Sequence, residues 1–242
     1  MQSKIDVRRS ASRDRTETEW LDSRHSFSFG VHYQPDNTHH GLLVVHNDDV
    51  VRPGAGFDTH PHRDMEIVTW VLEGSLAHAD SMGNSGVIHP GLAQRMSAGR
   101  GVLHSEKNDS AEPVRFVQAW VTPDEAGIDP GYEQADIASE LLTGELTPVA
   151  SGLPRHAAAV RIKQKDAALS AARLRPGTSV QLPDAPYLHV FVASGAVELE
   201  NAGLLAQGDA VRATAAGGLR VTTGEPAEIL VWEMHTTLGE RS

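Results

Sequence analysis

Four side chains that bind transition metals occupy two short segments of this chain. His60 and His62 are separated by one residue, and so are His104 and Glu106. In a β-strand, residues two apart point to the same face, so each pair projects together if its segment is extended. Two such strands lying side by side would bring three imidazoles and a carboxylate to one point. This donor set suits a divalent first-row metal ion, and the sequence therefore predicts a metal centre.

The residue types and spacing alone do not decide which glutamate supplies the carboxylate ligand of this centre. Glu106 follows His104 at strand spacing, whereas Glu66 shares the strand parity of His60 and His62. Either glutamate can supply the oxygen ligand in a model in which both segments are extended.

Several other histidines and tryptophans are interpreted as structural. His39 and His40 fall in a polar segment and are expected in a solvated loop. The tryptophans of strand-like runs are expected in the core: Trp70, Trp120 and Trp232. Four further histidines are interpreted as ordinary strand or turn residues: His25, His46, His78 and His89.

The composition limits the classes of protein that this chain can be. Its 242 residues and 40% hydrophobic content are enough for one large β domain or two smaller ones. The absence of cysteine excludes disulfides and thiolate metal sites and fits a reducing compartment. A formal net charge of −11 argues against a nonspecific nucleic-acid binder. Since no segment resembles a signal peptide or a membrane span, we expect a soluble, cytoplasmic protein.

Short strands separated by turns must position the ligands. Apolar runs such as 114–121 and 229–234 alternate with glycine, proline and aspartate turn signals. With almost no long amphipathic segment, this pattern favours an all-β sandwich or barrel. The segment 122–131 is rich in proline, glycine and acidic residues, which predicts a boundary between domains of residues 1–130 and 131–242.

A faint internal repeat relates the two halves. The apolar run that ends at Gly74 resembles the run that ends at Gly195. An alignment on these and later glycines places four residues without metal-binding chemistry at the ligand positions: Gln181, Pro183, Val221 and Thr223. The second half is therefore expected to keep the barrel and to lack the metal.

The ligand segments match the two sequence signatures of cupins. The first signature runs from Gly54 to Gly74 and the second from Gly91 to Asn108. The first has one residue more than the usual pattern, and the second has two more and lacks the usual proline. With these departures, the segments 25–29, 60–66, 72–74, 80–84 and 96–106 resemble the pirin family. The resemblance is closest to bacterial pirin-like proteins with quercetin 2,3-dioxygenase activity.

The resemblance implies a fold and a ligand set. The fold is an all-β bicupin, with two tandem jelly-roll-like barrels and one metal in the N-terminal barrel. The ligands are expected to be His60, His62, His104 and Glu106, with Glu66 orienting an imidazole. On family grounds the ion is expected to be Fe(II), although the donors also accept Mn, Co, Ni, Cu or Zn. A monomer is expected.

The resemblance also implies an activity, the cleavage of a flavonol such as quercetin by O2. Glu106 is expected to accept the flavonol hydroxyl proton, and candidates for an apolar cavity are Phe29, Val45 and Phe57. Two alternatives are a metal-binding regulatory protein that acts through protein partners without turnover, and a non-oxidative cupin that binds metal through Glu66.

Overall fold

The computed structural model describes residues 2–240, and within that range the regular structure is β-strand apart from two 3₁₀ helices, η1 (Ser10–Ser12) and η2 (Glu140–Thr143). The predicted all-β class is confirmed. No helix in this range is long and apolar enough to cross a membrane. The strands up to residue 130 are β1 (Lys4–Arg8), β2 (Asp14–Glu17), β3 (Leu21–His25), β4 (Leu43–Val51), β5 (Gly56–His62), β6 (Glu66–Glu73), β7 (Leu76–Asp80), β8 (Ser85–Ile88), β9 (Leu92–Ser97), β10 (Val102–Lys107) and β11 (Val114–Val121). The strands after residue 130 are β12 (Gly131–Asp136), β13 (Thr147–Ser151), β14 (Val160–Arg161), β15 (Ala167–Leu174), β16 (Ser179–Gln181), β17 (Tyr187–Ser194), β18 (Ala196–Leu199), β19 (Gly203–Ala206), β20 (Ala210–Thr214), β21 (Arg220–Thr222) and β22 (Ala227–Met234).

These strands form two barrels of the same design, each built from a seven-stranded and a four-stranded sheet. The N-terminal sheets have the orders β12-β9-β6-β11-β4-β3-β2 and β5-β10-β7-β8. The C-terminal sheets have the orders β1-β20-β17-β22-β15-β13-β14 and β16-β21-β18-β19. Side chains alternate between the two faces of each strand, as in β10, where His104 and Glu106 are buried and Leu103 is exposed. This alternation turns both predicted ligands of β10 into the barrel.

Each barrel takes one strand from the other half of the chain. β1 pairs antiparallel with β20 of the C-terminal barrel, and β12 pairs with β9 of the N-terminal barrel. Strand pairing therefore crosses the predicted division at residue 130 in both directions, and the division itself stays a prediction. Local sequence missed this exchange because alternation in residues 4–8 indicates a strand but not its partner.

The two barrels align strand by strand through equivalent glycines. Gly74 and Gly195 both have positive φ angles, of 76° and 71°. A Cβ at Gly74 would press against the carbonyl oxygen of Pro113, and a Cβ at Gly195 against that of Pro226. The glycines therefore mark the same close approach of two strands, and the internal repeat is a structural one.

This alignment corrects the register that the sequence repeat proposed at the ligand positions. Glu106 faces His78 across the sheet, and Val221 faces Leu199; His78 and Leu199 each lie four residues after their glycine. Val221 therefore occupies the place of Glu106, and the equivalence with Thr223 is wrong. Alignment on the later glycines slipped because the segment before β10 is two residues longer than that before β21.

The other ligand positions shift in the same way. Leu219 takes the place of His104, two residues before Val221, and its carbonyl oxygen accepts a 2.8 Å hydrogen bond from the backbone N–H of Leu182. In the N-terminal barrel His60 lies opposite His104, so Leu182, which lies opposite Leu219, takes the place of His60. The second barrel thus presents buried apolar side chains where the first presents polar ones, and one hydrophobic cluster contains them: Leu182, Leu199, Leu219 and Val221.

A buried interface with specific polar contacts joins the barrels. The Trp70 indole N–H donates to Glu228 at 2.7 Å, and the Arg115 guanidinium binds both carboxylate oxygens of Asp48 at 2.9 Å and the Ala193 carbonyl oxygen at 2.9 Å. The core positions expected for Trp70 and Trp232 are confirmed by their burial.

Three histidines, His40, His46 and His189, also lie in this interface. His46 and His189 are fully buried with ring centroids 4.6 Å apart, and among residues 2–240 no ring nitrogen of either has a hydrogen-bond partner. His40 is half-buried, with Nε2 3.1 Å from the Leu188 carbonyl oxygen and 3.2 Å from that of Ala213. The expectation of a solvated loop was wrong for His40, because the second barrel covers it.

Candidate metal centre

Pairing between β5 and β10 brings the three predicted imidazole ligands together. His60 lies opposite His104, and His62 follows two residues along the same face. The Nε2 atoms of His60 and His104 are 3.1 Å apart, and one ligand nitrogen from each of the three rings lies within 4.8 Å of the other two. Gly56 permits this approach, because a Cβ there would collide with the backbone of Glu106.

The ring nitrogens of these histidines are available to an ion. His60 Nδ1 lies 2.7 Å from the carbonyl oxygen of Asp58, to which it donates as N–H, so Nε2 keeps its lone pair. His62 Nε2 is buried and has no hydrogen-bond partner in the described chain. Burial and the neighbouring His60 lower the pKa of His62 to about 4, and burial with nearby histidines lowers the pKa of His104 to about 3. The latter two imidazoles are therefore neutral at neutral pH, which is the state that binds metal.

Glu106 lies on the inner side of the cluster, held by two polar side chains. Its Oε1 accepts a hydrogen bond from the Thr69 hydroxyl at 3.4 Å, and both its oxygens accept from Gln118 Nε2, at 3.0 and 2.8 Å. Trp120 fixes Gln118 by donating its indole N–H to Gln118 Oε1 at 3.0 Å. Burial raises the pKa of Glu106 to about 7 in spite of these donors. A neighbouring cation would favour the carboxylate form.

His78 is a fourth imidazole of the cluster that sequence reasoning missed. A ligand nitrogen of His78, one of His104 and an oxygen of Glu106 lie within 4.8 Å of one another. The four predicted ligands therefore fall into two overlapping groups that share His104. His78 Nε2 lies 3.3 Å from Asp80 Oδ2, its Nδ1 is buried without a partner in residues 2–240, and its ring stacks on Tyr132 at 4.9 Å. The spacing of His78 and Asp80, two apart in a strand, was the available signal.

Glu66 lies apart from the imidazoles. It is fully buried, and its Oε2 accepts hydrogen bonds from the Ser97 hydroxyl and from the backbone N–H of Lys163, both at 2.9 Å. Since Lys163 belongs to the second half of the chain, Glu66 joins the two barrels. The expectation that Glu66 orients an imidazole was wrong, because the pleat of β6 directs its side chain towards Ser97.

A cavity of about 270 Å³ opens beside the cluster, close to the range of about 300–1,000 Å³ that small-molecule sites occupy. Phe29 and Phe57 line it as expected, whereas Val45 is buried outside the lining. Trp120 and His25 line it although they were interpreted as structural. The lining residues are Thr16, Leu21, Ser23, His25, Phe29, Asn47, Asp49, Phe57, His60, His62, Glu106, Gln118 and Trp120.

A second, more open cleft of about 700 Å³ lies between the barrels. Its walls include Arg95, Tyr132 and Lys163 and none of the four predicted ligands. The chemistry-bearing side chains converge on the smaller cavity, which is therefore the better candidate for a reaction site.

The residues of the smaller cavity fit a divalent transition metal ion. His62 Nε2 is a buried ring nitrogen without a hydrogen-bond partner among residues 2–240, and His60 Nε2 lies 3.1 Å from His104 Nε2. A buried carboxylate lies beside them. Nitrogen and oxygen donors of this kind match first-row ions, and the aromatic cavity leaves one side of the cluster open. The assignment of the four ligands stays a proposal.

The comparisons with known proteins agree with this architecture. Residues 6–121 match the family model "Pirin", and residues 149–234 match "Quercetinase C-terminal cupin domain". A Mycobacterium tuberculosis protein named "Putative quercetin 2,3-dioxygenase" is 61% identical over 241 residues, which cover 99% of each chain. The Escherichia coli protein named "Quercetin 2,3-dioxygenase" is 49% identical over 131 residues, 54% of this chain and 57% of that protein.

Solved structures give the same result. The crystal structure of YhhW from Escherichia coli has a TM-score of 0.89 at 33% identity and covers 98% of this chain and 100% of that one. The structure of the bacterial pirin YhhW in complex with nickel(II) has a TM-score of 0.87 at 33% identity, covering 97% and 100%.

The fold and the cluster together define a bicupin with a candidate histidine–carboxylate metal centre in its first barrel. The predicted two-cupin fold is confirmed. Since it matches the Pirin family model and is 61% identical to the Mycobacterium tuberculosis relative over 99% of each chain, the chain belongs to the pirin family.

Proposed function

We propose that this pirin is a metal-dependent dioxygenase that cleaves a flavonol such as quercetin with O2. The observation that carries the proposal is a cluster of three imidazoles that shares His104 with a group containing the buried Glu106, next to an aromatic-lined cavity with His60, His62 and Glu106 in its wall. The names of the relatives support a flavonol substrate, and the nickel(II) complex of YhhW supports a metal centre.

The residues that would hold the metal are His60, His62, His104 and Glu106. A bound divalent ion, for which we favour Fe(II), would act as a Lewis acid that lowers the pKa of a chelated hydroxyl and would bring the electron-rich flavonol and O2 together.

Glu106 is the proton acceptor in this proposal. A general base must be in its deprotonated form, and a cation bound beside Glu106 would favour the carboxylate over the carboxylic acid. The flavonol hydroxyl proton passes to a carboxylate oxygen of Glu106, and Gln118 and Thr69 keep that carboxylate in place.

The cavity supplies binding and excludes water. Phe29, Phe57 and Trp120 present aromatic surface, which suits a flat aromatic substrate. The edge of Trp120 contacts the His62 ring at a centroid distance of 4.9 Å, so the aromatic wall reaches the metal-binding side chains.

The test is a turnover assay with metal-loaded protein. Quercetin is bound without oxygen, O2 is added, and the loss of flavonol absorbance and the release of carbon monoxide are followed. We expect turnover by the wild-type protein and by a His89→Ala control, and none by a His60→Ala, His104→Ala double variant. Equal turnover by the double variant would remove the metal centre as its source. Metal-loaded wild-type protein without any turnover would favour the regulatory alternative.

A further inference from the structure

One carboxyl of the cavity has no use in the chemistry described so far. Asp49 lines the cavity and is 4% exposed. Its Oδ1 has no hydrogen-bond partner within residues 2–240, and Ser23, which pairs with it across β3 and β4, hydrogen-bonds to the carboxyl. Burial raises the pKa of Asp49 to about 7.

The neighbouring residue, Asp48, is also a buried aspartate, but an arginine neutralises its charge. Asp48 points to the opposite face of β4, where Arg115 binds both of its oxygens at 2.9 Å. Asp49 has no such cation in the described chain. A buried oxygen without a donor destabilises the fold, so its retention in a cavity indicates a ligand that supplies the donor.

The second barrel shows that the fold does not need a carboxyl there. Asp49 pairs with Phe116, which lies three residues after Pro113. In the second barrel, Ile229 lies three residues after the equivalent Pro226, and it pairs with Ala172. Ala172 therefore occupies the position of Asp49. Ala172 is fully buried in the hydrophobic cluster of that barrel. An apolar side chain therefore satisfies the same position in the same architecture.

Asp49 and the metal-binding side chains share one cavity. His60, His62 and Glu106 form one part of its wall, and Asp49 forms another together with Asn47. A ligand in the cavity therefore meets metal-binding groups and also a carboxyl oxygen of Asp49 that has no partner within residues 2–240. A chelating edge and a separate hydrogen-bond donor match these two features.

We propose that Asp49 is a specificity-determining residue that accepts a hydrogen bond from a substrate hydroxyl that is not part of the metal-chelating edge. The site then selects polyhydroxylated aromatic ligands over ligands that carry the chelating edge alone. This inference rests on the proposed function for the position of the chelating edge.

The test measures binding, which does not require turnover. Nickel(II)-loaded protein is titrated without oxygen against three flavonols: 3-hydroxyflavone, which has only the chelating edge, galangin, which adds two hydroxyls on the fused ring, and quercetin, which adds two more on the pendant ring. In the series 3-hydroxyflavone, galangin, quercetin, we expect one addition of hydroxyls to raise the affinity of the wild-type protein about tenfold, which is the gain of one hydrogen bond to a carboxylate. Asp49→Ala, which introduces the residue found at the equivalent position 172, is expected to abolish this tenfold step in affinity and to leave the affinity for 3-hydroxyflavone unchanged.

Two further variants separate recognition from structure. Asp49→Asn keeps the size of the side chain and an acceptor oxygen without the charge, so it should retain part of the step even if Asp49→Ala does not fold. Asp48→Asn changes the neighbouring buried carboxyl outside the cavity and should keep the full step. Equal selectivity in wild type and both Asp49 variants, or a wild-type protein that does not discriminate among the three flavonols or binds none, would overturn the inference. Quercetin turnover by a protein whose selectivity ignores Asp49 would overturn the inference and leave the proposed function standing.

Discussion

The two barrels have the same strand order and opposite interiors. The N-terminal barrel encloses a cavity of about 270 Å³ bordered by histidines and carboxyls, whereas the equivalent positions of the C-terminal barrel carry packed leucine, valine and alanine. Glu106 is matched by Val221, His104 by Leu219 and Asp49 by Ala172. The comparison teaches that the architecture is sustained by apolar packing, and that the candidate chemistry is carried by a few side chains which that packing does not require.

The polar interior has its own supports, which the apolar one lacks. Gln118 and Thr69 hold Glu106, and Trp120 in turn holds Gln118. The position equivalent to Gln118 is Val231, which is buried in the second cluster. The difference between the barrels therefore extends from the ligand positions to the residues behind them.

Substitution at twin positions gives the largest expected contrast. His104→Ala should weaken metal binding by more than about 100-fold, because it removes a ligand that both groups of the cluster share. Leu219→Ala should leave metal affinity unchanged and lower the free energy of unfolding by about 2–5 kcal/mol, because it opens a cavity in a packed core. Metal titration and urea unfolding of both variants check this. A metal defect in Leu219→Ala would mean that the barrels are not separable in function.

The two buried glutamates of the first barrel should differ nearly as much. Glu106→Gln is expected to lower metal affinity by about 10–100-fold, since the amide lacks the charge. Glu66→Gln should leave metal affinity unchanged, because Glu66 bonds to Ser97 and Lys163. Isothermal titration with nickel(II) compares them. The reverse result, metal lost in Glu66→Gln alone, would favour the non-oxidative cupin.

Acid should weaken the interface to which both barrels contribute a histidine. Burial lowers the pKa of His46 to about 3, and the pKa of His189 also lies well below 6.5. In the unfolded chain each histidine binds a proton near the ordinary pKa of 6.5, whereas in the folded chain it stays neutral at that pH. The stability that each neutral histidine contributes is therefore lost as the pH falls below 6.5. Between pH 6.5 and about pH 5 this loss is about 2 kcal/mol for His46.

Other buried groups oppose this trend. Burial raises the pKa of Glu106 and Asp49 to about 7, so their contribution grows as pH falls from about 7 towards their unfolded values. The difference between wild type and His46→Leu isolates the histidine. Urea unfolding at the two pH values should show a smaller acid loss in His46→Leu, and identical losses would assign the acid sensitivity elsewhere.

The smallest expected effect concerns His78. His78→Gln should reduce metal affinity by about tenfold, because the imidazole borders His104 and Glu106 and is oriented by Asp80. Leu199 is its twin in the apolar barrel. His89→Gln, at an exposed histidine, is the matched control. Unchanged affinity in His78→Gln would reduce its part to packing against Tyr132.

The fold class and the imidazole cluster could be predicted from the sequence because both depend on local spacing. Residues two apart in a strand share a face, which is why His60, His62, His104 and Glu106 all point inward. What local spacing cannot give is the identity of the neighbouring strand. For that reason the exchange of β1 and β12 and the contact of Glu66 with Lys163 were missed.

The same limit explains the residues missed inside the cavity. His78 joins the cluster only because β7 lies beside β10, and Asp49 becomes visible as unusual only beside Ala172 of the other barrel. The slip in the repeat at Val221 arose from a loop of different length, which a pattern of glycines cannot detect.

The central claim is that the first barrel holds one metal ion through His60, His62, His104 and Glu106. Elemental analysis of untagged protein, combined with X-ray absorption at the edge of the metal found, tests it most directly. We expect one divalent transition metal per chain, bound by three imidazole nitrogens and a carboxylate oxygen, and its loss from the His60→Ala, His104→Ala variant. A wild-type protein that neither contains nor takes up Fe(II) or nickel(II), or a double variant that keeps its metal, would contradict it.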